Sequence, residues 1–278
     1  MERRPYPACG AGRLIGMEEL RIYMKLIRIS MRSRLQYRAD FITGIISVLV
    51  LNAVNLGLIG ILVHRFSQLH GWTIWDLVFL YSMFVLSHSL YSLLFWHFNM
   101  MDTYIAQGTF DQFLIRPISP LIQFLGREIQ YIGIGDILVG VAAFSLAYSN
   151  KGLHWQAWQW LFFTVAILSG TMIEMSIRWM IASTAFWLGR SLSLANIMNR
   201  FNLLVQQYPI DIFGTWFQVV VTVIPISFLN YYPSLVLLGK ANDGTWLRFL
   251  PPMVAIVSIS AATLVWRAGI RRYASSGS

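Results

Sequence analysis

The stretch Gly108-Thr-Phe-Asp-Gln-Phe-Leu-Ile-Arg-Pro-Ile-Ser-Pro120 separates two long apolar segments, and the organisation of the chain follows outward from it. Pro117 and Pro120 each lack a backbone N–H and disfavour helix at the residue before them. The pattern therefore predicts one short helix over residues 109–115, followed by a break. The stretch is too short and too polar at its start to cross a membrane, so we expect it to lie at the membrane surface.

The predicted short helix has one apolar face, made by Phe110, Phe113 and Leu114. Asp111 lies in its first turn, where a negative charge suits the helix dipole, and Arg116 ends it. An aromatic-faced helix at a membrane surface has the form of a docking element for a partner. The alternative is an ordinary connection that packs on its own protein, since loops need no function to exist.

Composition places the chain among membrane proteins. Of its 278 residues 56% are hydrophobic and only 12% are charged, and the mean hydropathy is +0.58. A soluble domain carries roughly 25% charged residues. The sequence pI near 9.9 does not indicate a nucleic-acid partner, because the basic residues lie at the ends of apolar segments. Cys9 is the only cysteine, which excludes an internal disulfide and a cysteine-built metal site.

The region before the first apolar segment divides into two parts. Residues 1–16 lack the apolar core of a signal peptide and are expected to form an extension, with Met17 as a possible alternative start. Residues 17–40 carry an apolar stripe and a basic stripe with the same helical period, which predicts an amphipathic helix in the membrane interface. Residues 41–273 then form the predicted transmembrane domain.

Six apolar segments predict an all-α protein that crosses the membrane six times. The predicted spans are residues 41–63, 77–98, 121–148, 158–187, 210–230 and 249–266. The second span contains His88, which we interpret as a packing residue rather than a ligand. Asn52 and Asn55 in the first span are expected to face other helices.

Three charged residues lie deep within the predicted spans, whereas Arg127, Glu128 and Asp211 lie in the first turns of theirs. Asp136 is in the third span, and Glu174 and Arg178 are in the fourth at a spacing that favours a helix ion pair. An unpaired Arg at mid-bilayer costs at least ~2.5–3.5 kcal/mol, so the pair should face protein or water. These groups either line a polar pathway or fix helix packing, and the sequence leaves both readings open.

The fifth apolar segment is interrupted. Pro225 breaks it, Asn230-Tyr231-Tyr232-Pro233 follows, and the apolar run over residues 234–239 is too short to cross. This pattern predicts a re-entrant hairpin before the last span, because broken backbone at membrane depth survives only when it is buried in protein or lines a cavity. Residues 189–207, which precede it, are predicted to be a cytoplasmic or interfacial connection.

The distribution of basic residues predicts the orientation. Nine Lys and Arg residues precede the first span, and three Arg follow the last. Six spans with both termini and the stretch 108–120 in the cytoplasm fit these positions. Lys240 and Arg248 are the exceptions, because this topology places both outside.

The sequence lacks the motifs of an enzyme. It contains no G-x-x-x-x-G-K-[ST] phosphate loop, no metal-binding H-E-x-x-H and no G-x-S-x-G nucleophile motif. We therefore predict no catalytic residue, no metal site and no ATPase activity of its own.

Three strings resemble known permeases: the stretch 108–120, Ile224-Pro-Ile-Ser-Phe-Leu-Asn-Tyr-Tyr-Pro-Ser-Leu-Val-Leu-Leu-Gly-Lys240, and Arg271-Arg-Tyr-Ala-Ser-Ser-Gly277. They resemble the permease subunits of type-two ATP-binding-cassette (ABC) exporters, in particular a small bacterial subgroup, over about residues 17–276. The resemblance implies an N-terminal interfacial helix, six spans and a cytoplasmic coupling helix between spans two and three. It also implies a second permease subunit and two separate ATPase subunits, which bind the ATP and Mg.

The expected function is that of an exporter permease in the bacterial inner membrane, coupled to its ATPases through the central stretch. The expected coupling residues are Thr109, Phe110, Asp111, Phe113, Leu114, Ile115, Arg116 and Pro117. One alternative is a proton- or ion-driven secondary transporter that uses Asp136, Glu174 and Arg178 as relay groups. Another is a membrane-embedded structural or sensory subunit that transports nothing. The sequence leaves the substrate open.

Overall fold

The computed structural model describes residues 38–66, 71–115, 120–125, 130–241 and 245–273, and the structural statements below concern these ranges. Within them the chain is helical, with no extended strand, as the sequence predicted. The α-helices are α1 Arg38–Phe66, α2 Ile74–Phe95, α3 Met101–Ala106, α4 Asp111–Leu114, α5 Pro120–Leu125, α6 Ile132–Asn150, α7 Ala157–Ser183, α8 Ala185–Leu188, α9 Leu192–Gln207, α10 Thr215–Val223, α11 Tyr231–Leu237 and α12 Leu250–Arg272. The predicted interfacial helix over residues 17–40 lies outside the described residues, apart from its last three.

Five helical stretches in the described part of the chain are long and apolar enough to cross a membrane. They are Ala39–Ile61, Ile74–Ala106, Ile132–Asn150, Ala157–Leu188 and Leu250–Arg272. The second runs through α2, the 3-10 turn Trp96–Met100 and α3, and the fourth runs through α7 and α8. A bent helix pair, Thr215–Val223 with Ile226–Leu237, brings the number of candidate spans to six if it counts as one. The chain is therefore a multi-pass membrane protein.

The third span is shorter than the sequence predicted. Residues 121–148 were expected to form one span, but the long helix begins only at Ile132, and α5 is a separate short helix. Phe124 of α5 packs against Phe113, with ring centroids 5.8 Å apart. This aromatic contact holds α5 beside the central stretch rather than in line with α6.

Close backbone contact joins the second and third spans, which pack together more extensively than any other pair of described helices. A Cβ added at Gly133 would lie 2.8 Å from the carbonyl oxygen of Ser89, and one at Gly140 would lie 2.8 Å from Cδ2 of Leu86. At Gly133 the neighbouring atom belongs to the backbone, so only glycine permits this approach, whereas a side chain at Gly140 would displace that of Leu86. Small residues are common where membrane helices associate. Because α2 and α6 also flank residues 108–115, that stretch is attached to a tightly packed helix pair.

The bundle has two ends. We call the end that carries residues 108–115 the near end, and the end that carries Asp76 and Lys151 the far end. The segment from Asp211 to Lys240, which precedes the last span, begins and ends at the far end of the bundle. At its start, Oδ2 of Asp211 accepts a hydrogen bond from Nε1 of Trp72 at 2.9 Å. At its end, Nζ of Lys240 donates to the carbonyl of Gly71 at 2.8 Å.

Between these two far-end contacts the chain turns back inside the bundle. Helix α10 and the helical segment Ile226–Leu237 are bent by 73° relative to each other, at the break around Pro225. Near the turn, Leu229 lies beside Gly170 of α7 and accepts a long, 3.5 Å hydrogen bond from Ser87 Oγ of α2. Gly170 and Ser87 both lie well inside their helices, so the turn lies deep in the bundle. The two ends of the segment that contains the turn lie together at the far end.

The segment 189–207 was predicted to be a cytoplasmic or interfacial connection, but the structure places most of it in a helix against the spans. Residues Leu192–Gln207 form the amphipathic helix α9, which packs along the bundle. Nδ2 of Asn202 donates to Oε1 of Glu174 at 3.1 Å, and Nε2 of Gln207 donates to Oδ1 of Asn55 at 3.1 Å. These polar contacts hold the less apolar helix against the spans, and hydropathy along the sequence does not report them. The helix begins beside the end of the fourth span and finishes shortly before Asp211 at the far end.

Candidate functional site

The central stretch is the first candidate site. A turn closed by Gly108, whose φ is +70°, leads from α3 into the single turn of helix α4. Thr109 Oγ1 donates to the carbonyl of Tyr104 at 3.3 Å, and the Phe110 amide donates to the same carbonyl at 3.1 Å. The described helix is thus shorter than the predicted 109–115, because these turn contacts occupy its first residues.

The aromatic face of this helix is buried within the chain itself, so its two phenylalanines do not form the docking face for a partner that was one of the two interpretations of the sequence. Phe110 is 0% exposed and Phe113 is 5% exposed. The Phe110 ring lies 5.4 Å from that of Phe186 and 5.3 Å from that of Tyr273. Burial of such rings against other aromatic side chains is worth more to the protein than leaving them in water. The two phenylalanines therefore anchor the stretch to the fourth span and to the end of the last one.

The outward surface of the stretch is formed by other side chains. Ile115 is 81% exposed, while Asp111, Gln112 and Leu114 are half-buried. Arg116 and Pro117, which the sequence included among the coupling residues, lie outside the described part of the chain. Among the described coupling residues, Thr109 and Ile115 are the exposed ones, and Ile115 is the only large apolar side chain of the two.

Glu174 is the centre of a second candidate site, a polar network inside the bundle. Its side chain is fully buried, and its Oε1 lies 2.8 Å from Nδ1 of His88. The same oxygen accepts a hydrogen bond from Nδ2 of Asn202 and lies 3.7 Å from a terminal nitrogen of Arg178. The predicted pairing of Glu174 with Arg178 is therefore present, and α2, α7 and α9 meet at one carboxylate.

Arg178 extends this network toward the near end. One of its terminal nitrogens lies 3.5 Å from Oδ1 of Asn99, and its guanidinium lies 5.8 Å from the centre of the Tyr91 ring. Asn99 in turn donates to the Tyr91 hydroxyl at 2.8 Å. Among the described residues, Oε2 of Glu174 and Nε of Arg178 have no hydrogen-bond partner, so the network retains capacity for a further polar group.

Asp136 occupies a different position. Its Oδ1 accepts a hydrogen bond from Nδ2 of Asn52 at 2.8 Å, and Oδ1 of Asn52 accepts one from the Tyr81 hydroxyl at 2.5 Å. This confirms that Asn52 faces other helices. Asp136 lies near enough to His88 for an electrostatic interaction, but within the described ranges no hydrogen bond or ion pair joins Asp136 to Glu174 or Arg178. The three charged residues form two neighbouring groups.

Two members of the network were assigned smaller roles from the sequence. His88 was interpreted as a hydrogen-bonded packing residue, and it does contact the buried Glu174, with a side-chain exposure of 28%. Asn202 was placed in a cytoplasmic or interfacial connection, but its side chain also contacts Glu174. The signal for both was the presence of a carboxylate within an apolar segment, which favours polar partners from other helices.

The turn of the bent segment is fixed by its own polar residues. Asn230 Nδ2 donates to the carbonyl of Val205 on α9 at 2.7 Å, and its Oδ1 caps α11 by accepting from the Tyr231 amide. The Tyr232 hydroxyl lies 3.0 Å from Oγ1 of Thr222, across the bend. Pro225 stands at the bend, and Pro233 is buried in the first turn of α11.

Charges at the far end account for the two exceptions to the basic-residue pattern. Asp76 is fully buried and forms ion pairs with Lys151 at 2.8 Å and with Lys240 at 3.2 Å. The guanidinium of Arg248 lies 4.1 Å from the centre of the Trp158 ring, a cation–π geometry. Lys240 and Arg248 thus have partners at the same end as Lys151.

The side chains that the two candidate sites offer indicate what each could do chemically. Within the described ranges, no three His, Cys, Asp or Glu side chains are grouped so as to hold a metal ion. The buried network offers one carboxylate, one guanidinium, an imidazole and amides, which suits binding or helix packing. The central stretch offers a small surface attached rigidly to two spans, which suits contact with another protein.

Comparison with known proteins identifies one family. Residues 49–277 match the sequence model of the family described as ABC-2 family transporter protein. This match covers every described span from α2 onward, and it includes both candidate sites. The chain matches no curated protein and no solved structure closely enough to add to this comparison.

Proposed function

This chain belongs to the ABC-2 transporter family, and from that premise we propose that it is the permease subunit of an exporter driven by separate ATPase subunits. The family is a membrane component of transporters and not itself an ATPase, in agreement with the missing phosphate loop. In the proposed complex, two permease subunits form the pathway between them. Two ATPase subunits bind ATP and Mg at the cytoplasmic face of the bacterial inner membrane.

One observation carries the proposal: at the near end, the central stretch is packed against the fourth and the last spans. Phe110 contacts Phe186, at the end of the fourth span, and Trp266 in the last span, with ring centroids 5.4 and 6.2 Å away. The stretch itself connects the second span to the third. A displacement of residues 108–115 would therefore be transmitted to four spans at once.

The proposed topology has six crossings, with both termini and the near end in the cytoplasm. In this arrangement α9 makes the fifth crossing, because it runs from the near end to the far end. The bent segment Thr215–Leu237 is then a re-entrant hairpin that enters and leaves at the outer face. Asp211 at its start and Lys240 at its end both contact the loop between the first two spans, which supports this assignment.

The proposed mechanism follows from these attachments. ATP binding closes the two ATPases, and their movement displaces the near-end stretch of each permease. Because α2 and α6 are held together at Gly133 and Gly140, they move as one unit. Their movement relative to α7 and α12 would open the pathway. The buried contacts of Glu174 between α2, α7 and α9 are then the polar contacts that must rearrange.

The test of this proposal uses Ile115, which is exposed and outside the aromatic cluster. The tagged chain is purified with the ATPase that accompanies it, and Mg-ATP hydrolysis is measured together with the affinity of the two proteins. We expect Ile115→Ser to weaken the association about tenfold or more, as for a residue in the centre of an interface. Trp246→Ser, at the far end and also exposed, is the matched control. Equal behaviour of the two variants would contradict coupling through the central stretch.

A proton- or ion-driven transporter remains the second candidate, and the contact between His88 and Glu174 is the observation that favours it. A buried carboxylate beside a partly exposed imidazole is the kind of pair through which protons pass in membrane transporters. That candidate gives the network the role of energy input. In the proposal above, the same network holds helices together.

A further inference from the structure

Helix α9 carries a polar stripe on the side that faces away from the bundle. Ser193, Asn196 and Arg200 follow one another at spacings of three and four residues, so they lie in one line along the helix, and all three are exposed. Ile197 and Leu203 flank this line and are 53% and 49% exposed. The outward surface of α9 is therefore amphipathic, with one cationic group among amide, hydroxyl and aliphatic side chains.

The cationic group of this stripe lies near the middle of the bundle and not at either end. Arg200 is close to the centre of α9, which runs from Leu192 to Gln207. Two residues later, Asn202 donates to Glu174, which lies near the middle of the fourth span. Five residues after Arg200, the carbonyl of Val205 accepts a hydrogen bond from the deep turn of the bent segment. The guanidinium is therefore at the level of the hydrocarbon core of a membrane, away from lipid headgroups.

The guanidinium of Arg200 has no counter-charge within the described part of the chain. No ion pair or hydrogen bond among these residues includes it. Glu174 is already paired inside the bundle, and Asp102 lies beside Leu192, about 12 Å along the helix from Arg200. Asp211 follows the other end of α9 and binds a tryptophan there. Because an unpaired arginine at this depth is strongly disfavoured in hydrocarbon, lipid does not cover the stripe.

A second copy of the chain does not supply the missing carboxylate. Two copies related by a two-fold axis along the membrane normal meet each other at equal depth. The described acids nearest this depth are Glu174, which is fully buried, and Asp136, whose carboxylate is bound by Asn52. The second copy would therefore bring another Arg200 to the same level. Like charges repel across an interface, so this arrangement favours water or an anion between the two stripes.

We propose that the polar stripe of α9 is one wall of the water-filled translocation pathway, and that Arg200 binds the anionic group of an amphipathic substrate. A guanidinium binds a carboxylate, phosphate or sulfonate through paired, charge-assisted hydrogen bonds. The Asn196 amide, one helical turn away, offers a further donor. Ile197 and Leu203 contact the apolar part of the same molecule. The word substrate rests on the proposed exporter function, whereas the access of water and anions to the stripe does not.

The first measurement follows cysteine reactivity on the full-length chain in lipid nanodiscs, with any subunits that accompany it. In a Cys9→Ser background, Asn196→Cys reports on the stripe, and Leu264→Cys, at a 65% exposed position of the last span, is the control that faces lipid. Two methanethiosulfonate reagents of similar size are compared, one anionic and one cationic. We expect Asn196→Cys to react at least about tenfold faster than Leu264→Cys. Its ratio of anionic to cationic rates should fall at least about fivefold in Arg200→Gln and persist in Arg200→Lys, because a fixed charge raises the local concentration of the opposite ion.

The second measurement tests the class of ligand. Decanesulfonate and decyltrimethylammonium, which share one alkyl chain and differ in charge, are added before an uncharged maleimide reacts with Asn196→Cys. We expect decanesulfonate to slow this reaction at least about fivefold and decyltrimethylammonium to leave it unchanged, with no protection in Arg200→Gln. Neither measurement uses ATP or transport. A failure of the exporter assignment therefore leaves both results as expected, and the two failures can be told apart.

Three results would overturn the proposal. Reaction of Asn196→Cys as slow as that of Leu264→Cys would mean that lipid or another chain covers the stripe. A disulfide between two copies at Asn196→Cys, without reaction with either reagent, would assign the stripe to a permease interface. A rate ratio and a protection that are the same with Arg200→Gln would remove the anion site. Elution volume and melting temperature establish that each variant is folded, and Ser193→Cys replaces Asn196→Cys if the latter is not.

Discussion

His88 and Glu174 are 86 positions apart in the sequence, yet they meet inside the bundle, with Nδ1 of the histidine 2.8 Å from Oε1 of the glutamate. The contact joins the second span to the fourth. Because Asn202 and Arg178 approach the same oxygen, Glu174 connects three helices through one atom. A carboxylate that is removed from water is stable there only while these partners remain, so the pairwise interactions should be measurable as stability.

The first prediction concerns Glu174 and Arg178. Glu174→Gln should lower the free energy of unfolding by about 3–5 kcal/mol, because it leaves the buried Arg178 without its counter-charge. The double variant with Arg178→Gln should lose clearly less than the sum of the two single losses. Unfolding by detergent titration, followed by tryptophan fluorescence, provides these values.

Lys151→Gln combined with Glu174→Gln is the control pair, since Lys151 lies at the far end and contacts Asp76 instead. These two losses should add within about 0.5 kcal/mol. If the losses of Glu174→Gln and Arg178→Gln also add within that margin, the two charges do not interact, and the network has been misassigned.

The second prediction follows from the burial of the aromatic face in the central stretch. Phe110→Ala and Phe113→Ala should each destabilise the permease itself by about 3–5 kcal/mol, through the cavity that each leaves. Ile115→Ala should change stability by no more than about 0.5 kcal/mol, because its side chain is 81% exposed. Detergent-induced unfolding of the isolated chain separates the two classes. Wild-type stability in Phe110→Ala would mean that the ring is not buried in the folded protein.

How far the sequence predicts this fold depends on the range of the contacts involved. The long apolar runs of α1, α2, α7 and α12 are visible in the sequence, because each contains enough apolar residues to cross a membrane alone. The burial of Phe110 is not visible in the sequence, since its partners include Trp266 and Tyr273, which lie more than 150 positions later in the chain. Local pattern gave an apolar face, and only tertiary packing decides what covers it.

The same reasoning applies to α9 and to the polar network. Arg190, Asn199 and Arg200 make the segment 189–207 resemble a surface connection, yet Asn202 contacts Glu174 within the bundle. The break at Pro225 was predicted correctly, because proline cannot continue a helix hydrogen-bond pattern. The sequence does not predict the two far-end contacts of this segment, those of Asp211 with Trp72 and of Lys240 with Gly71, because each joins residues that are far apart in the chain.

The third prediction tests the orientation and the path of the bent segment. In a Cys9→Ser background, single cysteines replace Asn150, Thr109, Gly214 and Ala241, and an impermeant thiol reagent is added outside intact cells. Asn150→Cys should react and Thr109→Cys should not, since they lie at opposite ends of the bundle. Gly214→Cys and Ala241→Cys should both react, because a re-entrant hairpin begins and ends on one side.

Permeabilised cells provide the control for this labelling, because every exposed cysteine should then react. Reaction of Thr109→Cys in intact cells would reverse the orientation. Reaction of only one of Gly214→Cys and Ala241→Cys would make the bent segment a crossing rather than a hairpin, and α9 would then lose its role as the fifth crossing.

In the proposed transporter, free energy enters through a soluble ATPase at the central stretch, and not through carboxylates within the spans. The most direct measurement follows efflux of a compound to which deletion of this chain makes cells sensitive. In one arm ATP is depleted while the proton gradient is kept, and in the other an uncoupler collapses the gradient while ATP is kept. We predict that efflux stops in the first arm and persists in the second. Cells that carry Asp136→Asn should give the same two results. Efflux that persists without ATP and stops with the uncoupler would contradict the account and assign transport to a proton-driven carrier.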